Sequence, residues 1–209
     1  AIMGIIPLGS GNGLARTLNI PLNPVQAIAL LNRRKAARID VGYANDILFL
    51  SNAGVGFDSV VVYEFRNSKR RGFSTYIGII LKHLLTYKSL EWYIEIDGKS
   101  MRKKAFMITA ANASQLGYNF KIAPLAELQD GLLDVVIIRK FPKIMGGFLG
   151  LKAFKGTLHH SSYVDYFKAQ QIRVRHPNLQ YFQVDGDVHA CTDGVLDIKI
   201  LRKQLSIIF

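Results

Sequence analysis

Ile5-Ile6-Pro7-Leu8-Gly9-Ser10-Gly11-Asn12-Gly13-Leu14-Ala15-Arg16 places three glycines at alternate positions between an apolar run and a helical pattern. The run Ile2 to Leu8 predicts a buried strand, and Leu14, Ala15 and Leu18 predict the helix that follows the loop. Glycines let a backbone come close to a ligand, while the first turn of a helix presents unpaired N–H groups and the positive end of its dipole, so phosphate is the natural guest. Asn12 stands at the N-cap position and Ser10 offers a hydroxyl to a phosphate oxygen. No Gly-Lys-Ser/Thr follows, which excludes a Walker A loop, and the last glycine of the dinucleotide fingerprint is missing. Alone, the stretch reads equally as a phosphate loop and as a glycine-rich turn.

The 209 residues are 49% hydrophobic and 20% charged, enough for one large or two small domains with a real core. Lys82, His83 and Lys88 interrupt the longest apolar candidate, leaving nothing near the roughly 18 residues of a spanning helix and predicting a soluble or peripheral protein. Cys191 is the only cysteine, which excludes an intrachain disulfide and a multi-cysteine metal site. With no signal peptide in view, a reducing, cytoplasmic compartment is expected. The net charge of +12 predicts a surface that draws anions, whether phosphorylated small molecules, anionic lipid headgroups or nucleic acid. Basic residues cluster in Arg33-Arg34-Lys35, Lys69-Arg70-Arg71 and Arg102-Lys103-Lys104, each of which reads first as a solvated surface segment.

A strand with no neighbour cannot make a sheet, so the opening run predicts that something precedes it and that the chain is a fragment of a longer protein. Pro24 sits at an N1 position before Val25, Ile28, Ala29 and Leu31, a second helix, and a domain boundary is expected near Arg33 to Ala37. Period-two alternation then begins. Residues 38–43 and 47–52 read as a hairpin across Asn45-Asp46, and 53–58 as a second glycine-rich turn. Val60 to Phe65 is ambiguous between strand and helix, while Tyr76, Ile77, Ile80, Leu81, Leu84 and Leu85 form a helical stripe that faces either a core or lipid. Strands are predicted at 92–97, 105–110, 132–138, 171–175, 180–185, 196–200 and 206–209, with a short helix at 143–154. The expected fold is α+β, mainly an antiparallel β-sandwich with a remnant of an α/β domain.

Three Asp-Gly pairs bear on chemistry. Asp97-Gly98, between alternating strands, reads as a type I′ turn. Asp130-Gly131 lies where a carboxylate and neighbouring carbonyls could hold a hard cation or simply turn the chain. Asp185-Gly186-Asp187 ends a strand with two carboxylates around a glycine, equally a hairpin turn and a magnesium site. The histidines form no metal-ligand set, since His159 and His160 are adjacent and the others isolated.

In this order, Pro7-Leu8-Gly9-Ser10-Gly11-Asn12, Asn52-Ala53-Gly54-Val55-Gly56-Phe57-Asp58, Lys69-Arg70-Arg71-Gly72, Asp130-Gly131-Leu132-Leu133-Asp134 and Asp185-Gly186-Asp187 resemble the diacylglycerol kinase catalytic family, which includes bacterial lipid kinases and sphingosine kinases. The resemblance implies a two-domain, ATP-dependent lipid kinase. It divides the chain into a remnant of a phosphofructokinase-like nucleotide domain (1–36), a lipid-holding β-sandwich (37–190) and closing strands that return toward the first domain (191–209). It implies ATP contacts from Gly9, Ser10, Gly11, Asn12 and Gly186, with Lys69 and Arg70 against the β- and γ-phosphates. It also implies a structural Mg²⁺ on Asp130 with the carbonyls of Glu127 and Leu132, and a catalytic role for Asp185 and Asp187. The family has Glu where Asp187 stands, and its Gly-Gly-Asp-Gly-Thr loop, which carries the proposed general base, is not in this sequence. Hence this piece alone is expected to be nearly inactive.

The expected substrate is the hydroxyl of diacylglycerol or a long-chain base, met at an anionic membrane surface, with no nucleic acid partner and with homodimerisation favoured by exposed strand edges. A soluble-nucleotide kinase similar to the NAD kinases and a non-enzymatic basic module compete with this reading.

Overall fold

A computed structural model describes residues 2–32, 35–70 and 72–209. Arg33, Arg34 and Arg71, and with them part of the expected domain boundary and of two basic triplets, lie outside the described residues, as does Ala1.

Alternating sequence from residue 36 onward builds most of the sheet. Its strands are β2 (Ala36–Ala44), β3 (Ile47–Phe49), β4 (Asn52–Gly56), β5 (Leu90–Ile96), β6 (Lys99–Ala111), β7 (Leu133–Arg139), β8 (Val164–Ala169), β9 (Gln171–Arg175), β10 (Tyr181–Val184), β11 (Asp187–Ala190) and β12 (Val195–Ile208). They pair antiparallel in the order β11-β10-β4-β6-β5-β9-β12-β2-β3, with β7 on β6 and β8 on β7. The sheet curls, so the predicted class, mostly antiparallel β with some helices, is the observed one. Asp97-Gly98 makes the predicted left-handed turn, at φ 45° and 80°, between β5 and β6.

Strands β6 and β7 explain how the sheet serves two cores. Ile108, Ala110, Val135 and Ile137 join one apolar cluster with Trp92, Phe182 and Leu196. Their sequence neighbours Met107, Ala111, Val136 and Ile138 point to the opposite face and join a second cluster. That second cluster is covered by α3 (Phe57–Asn67), α4 (Phe73–Thr86) and α5 (Gly146–Phe154), through Phe57, Val61, Ile79, Leu149 and Ala153. Burial on both faces is why these strands read as unbroken apolar runs. The ambiguous segment 60–65 is helical because only its helical face, Phe57 and Val61 one turn apart, meets this cluster.

The opening segment departs from its reading. Only Ile2–Met3, β1, is a strand, paired in parallel with Ser206 and Ile207. β12 ends one residue later and supplies no further edge; Ile2 is 65% and Leu8 78% exposed, so the predicted buried strand is not there. The helices α1 (Gly13–Thr17) and α2 (Pro24–Leu31) follow, the latter capped by the Asn23 side chain with Pro24 in its first turn. Ala15, Leu18 and Ala27 pack with Ile39, Ala113, Leu128 and Ile207 as a third cluster.

The two closing strands expected at 196–200 and 206–209 are one strand, β12, whose pairing with β2 shifts between Leu201 and Leu205. Asp40, fully buried on β2, accounts for the shift: its carboxylate accepts the N–H of Lys203 (2.7 Å), which is held at φ 53°, and the N–H of Gly131 (2.6 Å). β8 and β11 have no counterpart among the predicted strands, because Val164-Asp165-Tyr166-Phe167-Lys168-Ala169 and Asp187-Val188-His189-Ala190 alternate too weakly to be read locally.

Candidate functional site

The loop before α1 is fastened backbone to backbone against a second loop, 112–120, whose part the sequence does not announce. Tyr118 donates its N–H to the Gly11 carbonyl (3.1 Å), and Arg16 bridges Gly11 O (3.1 Å) and Asn119 Oδ1 (3.0 Å). A β-carbon on Gly117, at φ 126°, would stand 3.1 Å from Gly11 Cα, and one on Gly13 would stand 2.9 Å from the Gln115 carbonyl, so the approach requires glycine on both sides. Asn12 occupies the N-cap position but does not cap: it is left-handed (φ 51°), and its side-chain amide turns back to the Gly9 carbonyl at 2.6 Å.

Facing this pair of loops are the β4–α3 junction and the β10–β11 turn. Asp185 and Gly186 form that turn, with φ 48° and 87°, so the hairpin reading of this Asp-Gly pair is realised. The Asp185 carboxylate is turned back onto the chain: Oδ2 accepts from Leu50 N–H (2.8 Å), and Oδ1 accepts from Ser51 and Asn52 N–H (both 2.9 Å). These donors pull against the desolvation that raises its pKa. Between the four segments lies a polar cavity of about 250 Å³, lined by Ser10, Gly11, Asn12, Asp185 and Gly186 among others. The Tyr118 hydroxyl is buried in its wall and has no hydrogen-bond partner among the described residues, an orphan donor of the kind a bound polar ligand satisfies.

The other predicted residues are placed elsewhere. Gly9 does not line the cavity, and neither do Lys69 and Arg70, which are exposed on the α3–α4 connection. Asp187 is exposed at the start of β11 and pairs with Arg66 at 2.9 Å. Glu127, Asp130 and Leu132 sit on a separate loop; there Asp130 accepts from Leu132 N–H (3.0 Å) and pairs with Lys168 (2.6 Å). Beside it, burial lifts the Asp134 carboxyl to about 6 despite a 2.6 Å hydrogen bond from Tyr166. Among the described residues no three His, Cys, Asp or Glu side chains gather as a metal-binding set. The lysine already on Asp130 makes that loop a poor fit for a structural cation.

Asp58 is not among the site residues predicted from the sequence. It opens α3 directly after Gly54-Val55-Gly56, which is not the predicted turn but strand β4. Gly54 makes room for it: a β-carbon there would meet Asp58 Oδ2 and the Ile108 carbonyl at 2.6 Å each. The carboxylate accepts from Ser59 N–H (2.8 Å), Gln183 Nε2 (3.3 Å) and Thr109 Oγ1 (3.4 Å). Burial nevertheless pushes its pKa up to about 7. Gln183 accepts from Gly186 N–H (3.3 Å) with its other end, linking Asp58 to the β10–β11 turn.

A second cavity, also about 250 Å³, lies on the helical side of β6 and β7 and is walled by apolar side chains of α3, α4 and α5. It shares Asp58, Tyr76, Leu116 and Phe120 with the polar one. It lies outside the β-sandwich core, between sheet and helices, which is not where a ligand held within the sandwich was expected.

Residues 51–208 match the family model described as the YegS C-terminal NAD kinase beta sandwich-like domain, and residues 1–44 match that of the diacylglycerol kinase catalytic domain. The chain belongs to the diacylglycerol kinase catalytic family. The family member "Diacylglycerol kinase" of Bacillus subtilis (strain 168) is 28% identical over 196 residues, covering 92% of this chain and 64% of that protein. A Chromohalobacter salexigens protein named "Probable lipid kinase YegS-like" is 24% identical over 187 residues, 88% of this chain and 60% of its own length. The crystal structure of a diacylglycerol kinase from Bacillus anthracis str. Sterne superposes with a TM-score of 0.68 at 20% identity, over 99% of this chain and 66% of that one, a likeness of fold. This member of the family thus spans about half to two thirds of the length of the curated relatives.

Proposed function

We propose that the chain forms the lipid-holding part, and one wall of the nucleotide site, of an ATP-dependent kinase that phosphorylates a hydroxyl of diacylglycerol or a related long-chain lipid. One observation carries this reading: a polar cavity and an apolar cavity meet through a shared wall, so the pair suits an amphiphile whose head reaches one and whose chain fills the other. In the proposal, backbone groups of Ser10, Gly11, Asn12 and Gly13 and the Tyr118 hydroxyl receive phosphate oxygens of ATP. Lys69 and Arg70 belong to the site only if their exposed connection folds inward over the nucleotide. Phosphoryl transfer depends mainly on positioning and charge neutralisation, which suits glycine loops and cations better than a side-chain triad.

Mg²⁺ would arrive with the nucleotide, bound through phosphates and one or two carboxylates. Asp187, exposed and shared with Arg66, fits that task better than Asp185, whose oxygens both serve the 50–52 turn. Asp185 then acts as a positioning residue. The division into segments 1–36, 37–190 and 191–209 is kept as part of this proposal, with β12 connecting the last to β1.

The test is a panel assay with radiolabelled ATP on the protein in its full length: diacylglycerol, a long-chain base and NAD are offered in turn. Label in a lipid and none in NAD is expected, and residues 1–209 alone should be at least a hundredfold slower. Label in NAD alone would overturn the lipid reading, and the apolar cavity already disfavours that outcome.

An anionic membrane is the proposed source of the lipid. Leu81 and Leu151, on the rim of the apolar cavity, are 57% and 59% exposed, and nearby Ile144 is 90% exposed. Lys82, Lys152 and Lys155 lie on the same two helices or directly after them. No helix among the described residues is long and apolar enough to cross a bilayer. Inserting Ile144 and Phe148 into the interface would each contribute about 1.5 kcal/mol or more. The double substitution Ile144→Asp/Phe148→Asp is therefore expected to weaken co-sedimentation with phosphatidylglycerol vesicles by at least tenfold, with the melting temperature unchanged.

A further inference from the structure

Asp58 stands where the two cavities join, and nothing assigned so far uses it. Around it the polar groups are donors that converge on one carboxylate: Ser59 N–H on Oδ1, and Gln183 Nε2 and Thr109 Oγ1 on Oδ2. The aromatic residues Tyr76 and Phe120 border the same junction, with Val61 toward the apolar side and Gly11 toward the polar one. An amphiphile with its chain among α3, α4 and α5 would therefore pass its head over Asp58 before reaching the Ser10 loop. A carboxylate in a wall that is otherwise apolar is an acceptor that a ligand hydroxyl can satisfy and a hydrocarbon cannot.

Resting on the lipid-kinase reading, we infer that Asp58 is the specificity-determining residue that accepts a hydrogen bond from the acceptor hydroxyl of the lipid and holds that oxygen at the mouth of the polar cavity. The ligand class is an acyl or alkyl lipid bearing a free alcohol at its head. Gln183 is a positioning residue in this arrangement, since it ties the carboxylate to the Asp185-Gly186 turn on the nucleotide side. Burial that raises the pKa of Asp58 to about 7 supports the assignment, because a poorly solvated carboxylate gains more from a new donor than an exposed one does.

The test is a ligand–protein cycle on the full-length protein. The two ligands are a short-chain diacylglycerol and its deoxy analogue, in which hydrogen replaces the hydroxyl; the two proteins are the unaltered one and Asp58→Leu. Dissociation constants come from titration calorimetry, and KM for diacylglycerol and for ATP from turnover. At pH 8 or above, where Asp58 is ionised, the unaltered protein should prefer the alcohol by at least tenfold, as a hydrogen bond to a charged group implies. Asp58→Leu should erase that preference and raise KM for diacylglycerol at least tenfold, leaving KM for ATP within twofold. Asp58→Asn, which keeps an acceptor oxygen, should recover part of the preference. If Asp58→Leu keeps the preference, or loses lipid and ATP affinity together, the assignment is wrong. If the unaltered protein binds neither ligand, the lipid reading itself falls and this inference with it. Binding of both ligands equally by the unaltered protein sinks the inference alone.

Discussion

Replacing Asp185 with alanine is expected to cost the fold about 3 kcal/mol, because the N–H groups of Leu50, Ser51 and Asn52 lose their acceptor at one stroke. Hydrogen bonds to a charged acceptor contribute about 1.5–3 kcal/mol each, and water reaching this exposed turn recovers part of that sum. In a chain of this size such a loss lowers the melting temperature by about 6–12 °C. The consequence is local as well as global. Residues 50–52 lead into β4, which carries Gly54 and delivers Asp58 to the cavity, while Asp185 N–H also donates to the Asn52 carbonyl at 2.9 Å. Asp187→Ala removes only an exposed ion pair with Arg66, which contributes at most about 1 kcal/mol. Thermal melts of the two variants therefore separate the roles: a large shift for Asp185 and little for Asp187. Equal small shifts would show that the turn holds without its carboxylate. Should Asp187→Ala abolish lipid phosphorylation while melting normally, the catalytic weight of the Asp-Gly-Asp motif lies on Asp187.

Much of the fold was legible because it depends on local pattern. The β2–β3 hairpin across Asn45-Asp46, the Asp97-Gly98 turn, the Asn23–Pro24 start of α2 and the apolar stripe of α4 each follow from a few adjacent residues. Strand β12 was read as two pieces because its continuity is set from outside, by Asp40 of β2 holding the Lys203 N–H where the register slips. The site was legible in part for the same reason. The Ser10 loop and the Gly186 turn could be read as motifs, and the fold brings both to one cavity. Loop 112–120 shows only a Gly117 whose use emerges when Gly11 is seen against it. Asp58 was in view at the end of a glycine-rich segment, but its burial is supplied by α4, β6 and β10, elements far away in sequence. The clue a sequence reader could have taken is an ionisable side chain in the first turn of a helix whose neighbours Phe57, Val60 and Val61 are apolar.

The largest pH effect is expected from Asp58, and its sign is opposite to that of a salt-bridged carboxylate. Its pKa is raised by burial from the ordinary 3.8 to about 7, so between those values the native state holds a proton that the unfolded chain has released. Stability contributed by this group is fully present below about pH 4, declines as pH rises and is lost by about pH 7, a span that corresponds to about 4 kcal/mol at most. Asp134, raised to about 6, acts in the same direction with a smaller span, whereas Glu64, held below the usual range by Lys82 and His83, acts in the opposite one. The unaltered protein alone therefore blends several titrations, and the informative quantity is its difference from Asp58→Asn. Urea unfolding at steps between pH 4 and pH 8 should show that difference growing by several kcal/mol in favour of the variant and levelling off above pH 7. A flat difference would mean that Asp58 is as well solvated in the native state as in the unfolded chain. A growing difference would show a fold that keeps a carboxylate where neutrality would serve stability better, as expected of a group retained for a ligand.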